Sequence, residues 1–198
     1  TGNLSTVKPP DIPGLDTFEG RWLHTGEWPT EPVDLAGRRV AVVGTGSSGV
    51  QTITSIAPEV AQLYVLQRTP NYSMPAHNRP LEQEEWEAVV RDFAQRRHLC
   101  ETGDAGTPMP LPTTAAVDAT PEERIARYEA GWAMGGISSL SFAFNDMFRD
   151  ERSNHYAAEF ARQKIRSIVK DPAVAEKLCP THHIGTKRTR SEEHTSEL

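Results

Sequence analysis

Gly44, Gly46 and Gly49 follow the apolar residues 40–43 at the spacing G-x-G-x-x-G. Glycines so spaced hold a pyrophosphate. Gly44 permits a tight turn, Gly46 lets backbone N–H groups approach the anion, and Gly49 lets a helix pack closely on the strand. A helix opening near Ser47-Ser48 adds its N-terminal dipole and unpaired N–H groups. The candidate cofactor contacts are therefore Gly44, Thr45, Gly46, Ser47, Ser48 and Gly49, with Gln51 in the following turn. A second group of residues selects the cofactor. NAD sites place Asp or Glu after the second strand, for the ribose hydroxyls. Here that place holds Gln67-Arg68-Thr69. A guanidinium and a hydroxyl, Arg68 and Thr69, suit a 2′-phosphate, so NADP(H) is expected over NAD(H). The competing reading makes Arg68 a solvated loop cation.

Holding these groups in place requires a strand, a turn, a helix and a second strand. Residues 40–43 are apolar, mostly β-branched and bounded by Gly37 and Gly44, which reads as a buried parallel strand. The helix is expected to run from Ser47-Ser48 toward Ile56-Ala57. Leu63-Tyr64-Val65-Leu66 then arrives at the distance a βαβ unit needs. The fold class is therefore α/β with a Rossmann-like NADP-binding domain.

Composition narrows the partners. With 198 residues, the chain accommodates one or two domains. Its hydrophobic content of 37% is low, so part of it is expected to be loop or exposed helix. The net charge of −6, without a basic stripe, argues against nucleic acid. Two cysteines make no disulfide frame and fit a reducing compartment such as the cytoplasm. No apolar run approaches the roughly 20 residues of a membrane span, so no membrane partner is expected. The first residue is Thr1 rather than Met, so the true N-terminus is expected to lie upstream.

The remaining segments alternate loops and helices. Pro9, Pro10 and Pro13 make the first fifteen residues a loop. Residues 81–99 read as one helix, with Trp86, Val89, Val90 and Phe93 at helical spacing and Arg96-Arg97-His98 at its close. A loop over 100–120 follows. Thr120-Pro121-Glu122-Glu123 has the chemistry of a capped helix start, with an expected end near Glu129 and a break at Gly135-Gly136. Phe142, Phe144, Met147 and Phe148 are expected in core or interface. Residues 154–170 form a strongly amphipathic helix ended by Asp171-Pro172, and 173–178 a short one. His182-His183 beside Cys179 first suggests a metal, but adjacent histidines point differently and no zinc spacing results; no metal is expected. His24, between Leu23 and Thr25 and near two tryptophans, fits a structural histidine as well as a functional one.

Residues 18–29 read F-x-G-x-x-x-H-x-x-x-W-P, as Phe18, Gly20, His24, Trp28 and Pro29. Followed by GTGSSG, this resembles the fingerprint of type I Baeyer–Villiger monooxygenases, without departure. The resemblance continues in 67–73 and in Gly185-Thr186-Lys187-Arg188, and reaches about Thr189. It implies an FAD- and NADPH-dependent enzyme that converts ketones to esters or lactones with O2, of which this chain holds the NADP half and lacks most of the FAD site. Residues 1–36 become the linker and fingerprint between the two nucleotide domains, 37–79 the βαβ unit, 80–180 a helical insertion, and 181–189 the return to the now incomplete NADP domain. His24 becomes a linker residue that couples domain movement to catalysis. Ketone oxygenation needs a fixed cation against the oxygen-centred negative charge that develops. The resemblance assigns that task to Arg188, which stays charged and presents a planar fork, and assigns the NADP 2′-phosphate to Lys187. The alternatives are a fragment of an N- or S-oxygenating flavin monooxygenase, against which Trp28-Pro29 argues, and a non-catalytic nucleotide-binding module. Residues 190–198, RSEEHTSEL, have no apolar periodicity and read as sequencing-adapter translation, so no element is expected there. The ketone and the oligomeric state are not legible.

Overall fold

The computed structural model describes residues 6–103, 106–109, 111–136, 139–187 and 189–192, with 190–192 described by backbone alone. The chain divides into two compact units, Thr1–Arg68 and Thr69–Leu198.

In the first unit β1 (Arg39–Val43) leads into α1 (Ser47–Ile56), and β2 (Gln62–Leu66) returns parallel to β1. Their register pairs Val40 with Leu63 and Val43 with Leu66. The strand and helix bounds match the sequence reading closely. Burial of the strands does not. Val43 is 69% exposed, and Tyr64, Val65 and Leu66 are also exposed. A two-stranded sheet has too little area to cover both faces of a parallel pair. Apolar composition marks the strands without their being buried.

The second unit is mainly helical: α2 (Gln83–Arg91), α3 (Phe93–Thr102), α4 (Pro121–Met134), α5 (Glu151–Ile168) and α6 (Pro172–Leu178). Its core gathers Tyr72, Met74, Tyr128, Leu140, Phe144, Met147, Phe160 and Ile184. Tyr128 stands 5.4 Å from both the Phe144 and the Phe160 rings, and Trp132 packs on Phe160 at 6.2 Å. The α4 start is as read: Thr120 Oγ1 accepts from the Glu123 N–H, the Glu123 carboxylate accepts from the Thr120 N–H, and Pro121 occupies the first turn. The helix overruns its expected end to Met134. Gly135, at φ +75°, stops it against the Pro75 and Ala76 carbonyls, where a Cβ would have no room. The helix expected over 81–99 is interrupted at Asp92 and extends to Thr102. Phe144 and Met147 are buried as expected, while Phe148 is exposed.

Two findings depart from the expected organisation. The chain divides after Arg68, whereas residue 79 was the expected end of the βαβ segment. Residues 72–75 belong with the helices because Tyr72 and Met74 are core residues and β3 (Ser73–Pro75) packs on α4. The first residues expected in an element-free tail form β4 (Arg190–Glu192), parallel to β3 in the register Ser73 with Arg190 and Pro75 with Glu192. A strand edge offers backbone groups to any extended segment that reaches it, and side-chain periodicity is not needed for that pairing. Leu198 and residues 193–197 lie outside the described residues.

Candidate functional site

The glycine loop is built by backbone demands that only glycine meets. Gly44 leaves β1 at φ +96°, a left-handed conformation costly for other residues. Its N–H donates to the Leu66 carbonyl at 2.9 Å, which ties the loop to the end of β2. A Cβ on Gly49 would collide with the Gly44 carbonyl oxygen, so helix and strand approach only while residue 49 is glycine. Gly46 is the N-cap of α1 and, being glycine, supplies no side-chain acceptor to the first-turn N–H groups. Gly46, Ser47, Ser48 and Gln51 face solvent, and Thr45 is half-buried. The opening of α1 is thus an accessible, partly positive rim. Arg68 is exposed two residues beyond β2, at the carboxyl edge of the strand that pairs with β1. The structure therefore brings Arg68 and the glycine loop to the same end of one sheet, where open parallel sheets bind ligands. Thr69 is half-buried and opens the second unit.

The fingerprint residues form a turn with outward aromatic side chains. His24 Nδ1 accepts the Gly26 N–H at 3.0 Å and caps the single 3-10 turn Thr25–Glu27. That bond leaves Nε2 as the protonated nitrogen of the neutral ring. Gly20 lies beneath the Phe18 ring, 2.5 Å from where its Cβ would be. Phe18 and Trp28 are exposed, and Pro29 is half-buried.

The second unit presents Lys187 on a loop fixed from several sides. Asn154, buried in α5, accepts the Ile184 N–H at 3.0 Å and donates to the Ile184 carbonyl at 2.9 Å and the Met147 carbonyl at 3.1 Å. Tyr72 Oη donates to the His182 carbonyl at 2.7 Å. Arg162 donates to the Pro180 carbonyl and to Tyr72 Oη, each at 3.2 Å. Burial pushes the Tyr72 phenol up despite the nearby Arg162 charge. Gly185, at φ +95°, packs its backbone on the Phe148 ring, and Thr186 Oγ1 donates to the His183 carbonyl at 2.8 Å. Lys187 emerges exposed from this turn. Arg188 lies outside the described residues. Sequence reading missed Asn154, Tyr72 and Arg162. The available signal was a lone Asn at an inward position of an amphipathic helix, which needs partners when buried.

Both ring nitrogens of His182 are enclosed without a hydrogen-bond partner among the described residues, and burial with the Lys187 charge lowers its pKa. The ring stands edge-on to Tyr72 at 5.3 Å. No three His, Cys, Asp or Glu side chains converge as a metal set among the described residues. No described helix is long and apolar enough to cross a membrane.

No family model matches the chain. Individual proteins do. Cyclopentanone 1,2-monooxygenase of Comamonas sp. (strain NCIMB 9872) is 38% identical over 96% of this chain and 35% of its own length. A Baeyer–Villiger monooxygenase of Pseudooceanicola batsensis is 39% identical over 90% of this chain and 33% of its length. Among solved structures, the OTEMO complex with FAD and NADP superposes with a TM-score of 0.89 at 37% identity, over 96% of this chain and 37% of that one. These matches place the chain among flavin-dependent monooxygenases. Within that class it belongs to the Baeyer–Villiger monooxygenases, and it spans about a third of the length of the relatives it matches.

Proposed function

We propose that this chain is the NADP(H)-binding portion of an FAD- and NADPH-dependent enzyme that oxygenates ketones to esters or lactones with O2. The observation that supports the nucleotide assignment is the close approach of α1 to the Gly44 carbonyl. A Cβ on residue 49 would strike that carbonyl, so the backbone loop at this uncapped helix start takes its shape only while residue 49 is glycine. Gly44, Thr45, Gly46, Ser47, Ser48 and Gly49 would hold the pyrophosphate, with Gln51 at their edge. In the first unit Arg68 would meet the 2′-phosphate. The bound NADPH supplies reducing equivalents to the flavin. Arg188 would hold a permanent positive charge against the oxygen-centred negative charge of the reaction. His24, with its Nδ1 committed to the Gly26 N–H, would set the linker turn rather than exchange protons. The ketone and the FAD come to this chain from its relatives, one named for cyclopentanone and one solved with FAD and NADP.

Titrating the purified chain with NADPH and NADH, followed by tryptophan fluorescence, tests the reading. Tighter binding of NADPH is expected, with the preference lost in Arg68→Ala. Equal affinity for the two, or no binding of either, overturns it. Ketone-dependent NADPH consumption by this chain alone would contradict a purely nucleotide-binding role for it.

A further inference from the structure

Backbone groups of the loop 180–187 are held from outside it. Arg162 donates to the Pro180 carbonyl, Tyr72 Oη to the His182 carbonyl, and Asn154 takes both backbone groups of Ile184. The His182 ring is the exception. Nδ1 and Nε2 are both enclosed, and neither has a hydrogen-bond partner among the described residues. The ring stands edge-on to Tyr72, the same residue whose hydroxyl holds the His182 carbonyl. A neutral imidazole placed so leaves one N–H unpaired. An imidazolium leaves two, and adds a charge that needs an opposite one. The titratable groups around the Tyr72–His182 contact supply none. Tyr72 is a neutral phenol. On α5, Arg162 is itself a cation, and the Glu159 carboxylate is taken up by Arg162 at 2.9 Å and Arg166 at 3.0 Å. At the end of α6, the Cys179 thiol turns to the Arg162 carbonyl. On the loop itself Lys187 is positive. Burial, and then that Lys187 charge, hold His182 below its ordinary 6.5. His183 differs: its Nε2 lies 3.7 Å from the Glu151 carboxylate, so a charge there finds an acceptor.

We infer that His182 is a proton-operated latch: the neutral ring lets residues 180–187 seat on Tyr72, Arg162 and Asn154, and the imidazolium unseats them. A ring that leaves its enclosure draws the His182 carbonyl away from Tyr72 Oη, and Lys187 loses its fixed position on the turn that follows. The seated loop resists protonation, so its stability is complete above the ordinary histidine value and is lost as pH falls below it. Asp146 takes no part in that range. Its carboxyl is held below 3.8, so it stays ionised there.

Amide hydrogen exchange of the purified chain, corrected at each pH for the chemical exchange rate, tests the latch at the Ile184 N–H. Between about pH 7.5 and about pH 5, its protection is expected to fall by about threefold or more. The Phe160 amide, within α5, is expected to keep its protection, which separates release of the loop from unfolding of the unit. His182→Phe keeps an aromatic ring against Tyr72 and has no nitrogen to protonate, so its Ile184 protection should stay level with pH. His183→Gln, on the exposed side of the loop, should retain the fall and serves as the second variant. Level protection in the wild type, an equal fall in His182→Phe, loss of the fall in His183→Gln, or a parallel fall at Phe160 would each overturn the proposal. None of these readouts needs a bound nucleotide, so the outcome is separate from that of the NADPH titration.

Discussion

The two compact units use their apolar residues in opposite ways. In the second, a continuous core runs from Tyr72 and Met74 through Tyr128, Phe144 and Phe160 to Ile184. In the first, Ile53 and Ile56 are the buried apolar side chains among the described residues, while Val43, Tyr64, Val65 and Leu66 are exposed. The unit with the G-x-G-x-x-G motif therefore has little packing of its own, and the well-packed unit has almost no motif. The glycine loop needs no large core to take its shape. Strand register, the Gly44–Leu66 hydrogen bond and the absence of a Cβ at Gly49 define it. Shape and stability are separable here, and few buried side chains leave the first unit marginal.

The largest expected effect tests the packed side. Phe144→Ala removes a ring that touches Tyr128 and lies under the Arg127 guanidinium, 5.0 Å from its centroid. A loss of about 3–5 kcal/mol is expected, measured by urea unfolding with circular dichroism. A loss below about 1 kcal/mol would erase the contrast between the units. Next comes Asn154→Ala, which strands the Ile184 N–H and withdraws a donor from two carbonyls. About 2–3 kcal/mol is expected from such unsatisfied buried groups. The Ile184 amide is expected to exchange slowly in the wild type and fast in the variant. Unchanged exchange would mean that Asn154 does not hold the Lys187 loop.

On the sparse side, Gly49→Ala forces α1 away from the Gly44 carbonyl. Overpacking of this kind costs about 1–3 kcal/mol, and NADPH binding should be lost with it. A fully binding Gly49→Ala chain would show that the close approach is not what shapes the cradle.

How much of this was legible depended on whether the determinant was local. The bounds of β1, α1 and β2, the Thr120 cap and the end of α5 near Asp171-Pro172 follow from neighbours in sequence, and the structure has them. Strand burial was misjudged, because the pattern of residues 40–43 reports what a strand could bury rather than what covers it. β3 and β4 pair residues 117 positions apart, Ser73 with Arg190, and such pairing leaves no periodic trace in three residues. Which groups Asn154, Tyr72 and Arg162 hold on residues 180–184 was not legible for the same reason: they are backbone groups distant in sequence. Lys187 was found by resemblance to known sequences, and its geometry came from those three unremarked residues.

A subtler effect comes with acid. Burial works to raise the Asp146 carboxyl, but the Ala116 N–H, the Ser153 hydroxyl and the Val117 N–H outweigh it and hold the group below its ordinary 3.8. A depressed carboxylate contributes stability that is fully present above that ordinary value and lost as pH falls through the lower folded one. The second unit should therefore lose stability below about pH 3.8. Asp146→Asn should be less stable than the wild type at neutral pH, and the two thermal midpoints should converge in acid. A constant gap between them at every pH would mean that the carboxylate charge contributes nothing to tying the 116–117 backbone to α5.

The smallest expected effect probes the core at its one polar flaw. Tyr128 is 2% exposed, and its hydroxyl has no hydrogen-bond partner among the described residues. Burial, with the Asp146 charge, raises its pKa well above the ordinary phenol value, so the group stays neutral at any pH the protein meets. A buried hydroxyl without a partner costs stability that its ring contacts must offset. Tyr128→Phe keeps both ring contacts with Phe144 and Phe160 and removes that cost. Stability is expected to hold or rise by up to about 1 kcal/mol. The substitution is also the control for Phe144→Ala, since it leaves the same aromatic cluster intact. A loss instead of a gain would mean that the hydroxyl is hydrogen-bonded in solution, by water or by a neighbour. The aromatic cluster would then be a wetter core than its ring geometry indicates, and the difference in packing between the two units would be narrower by that amount.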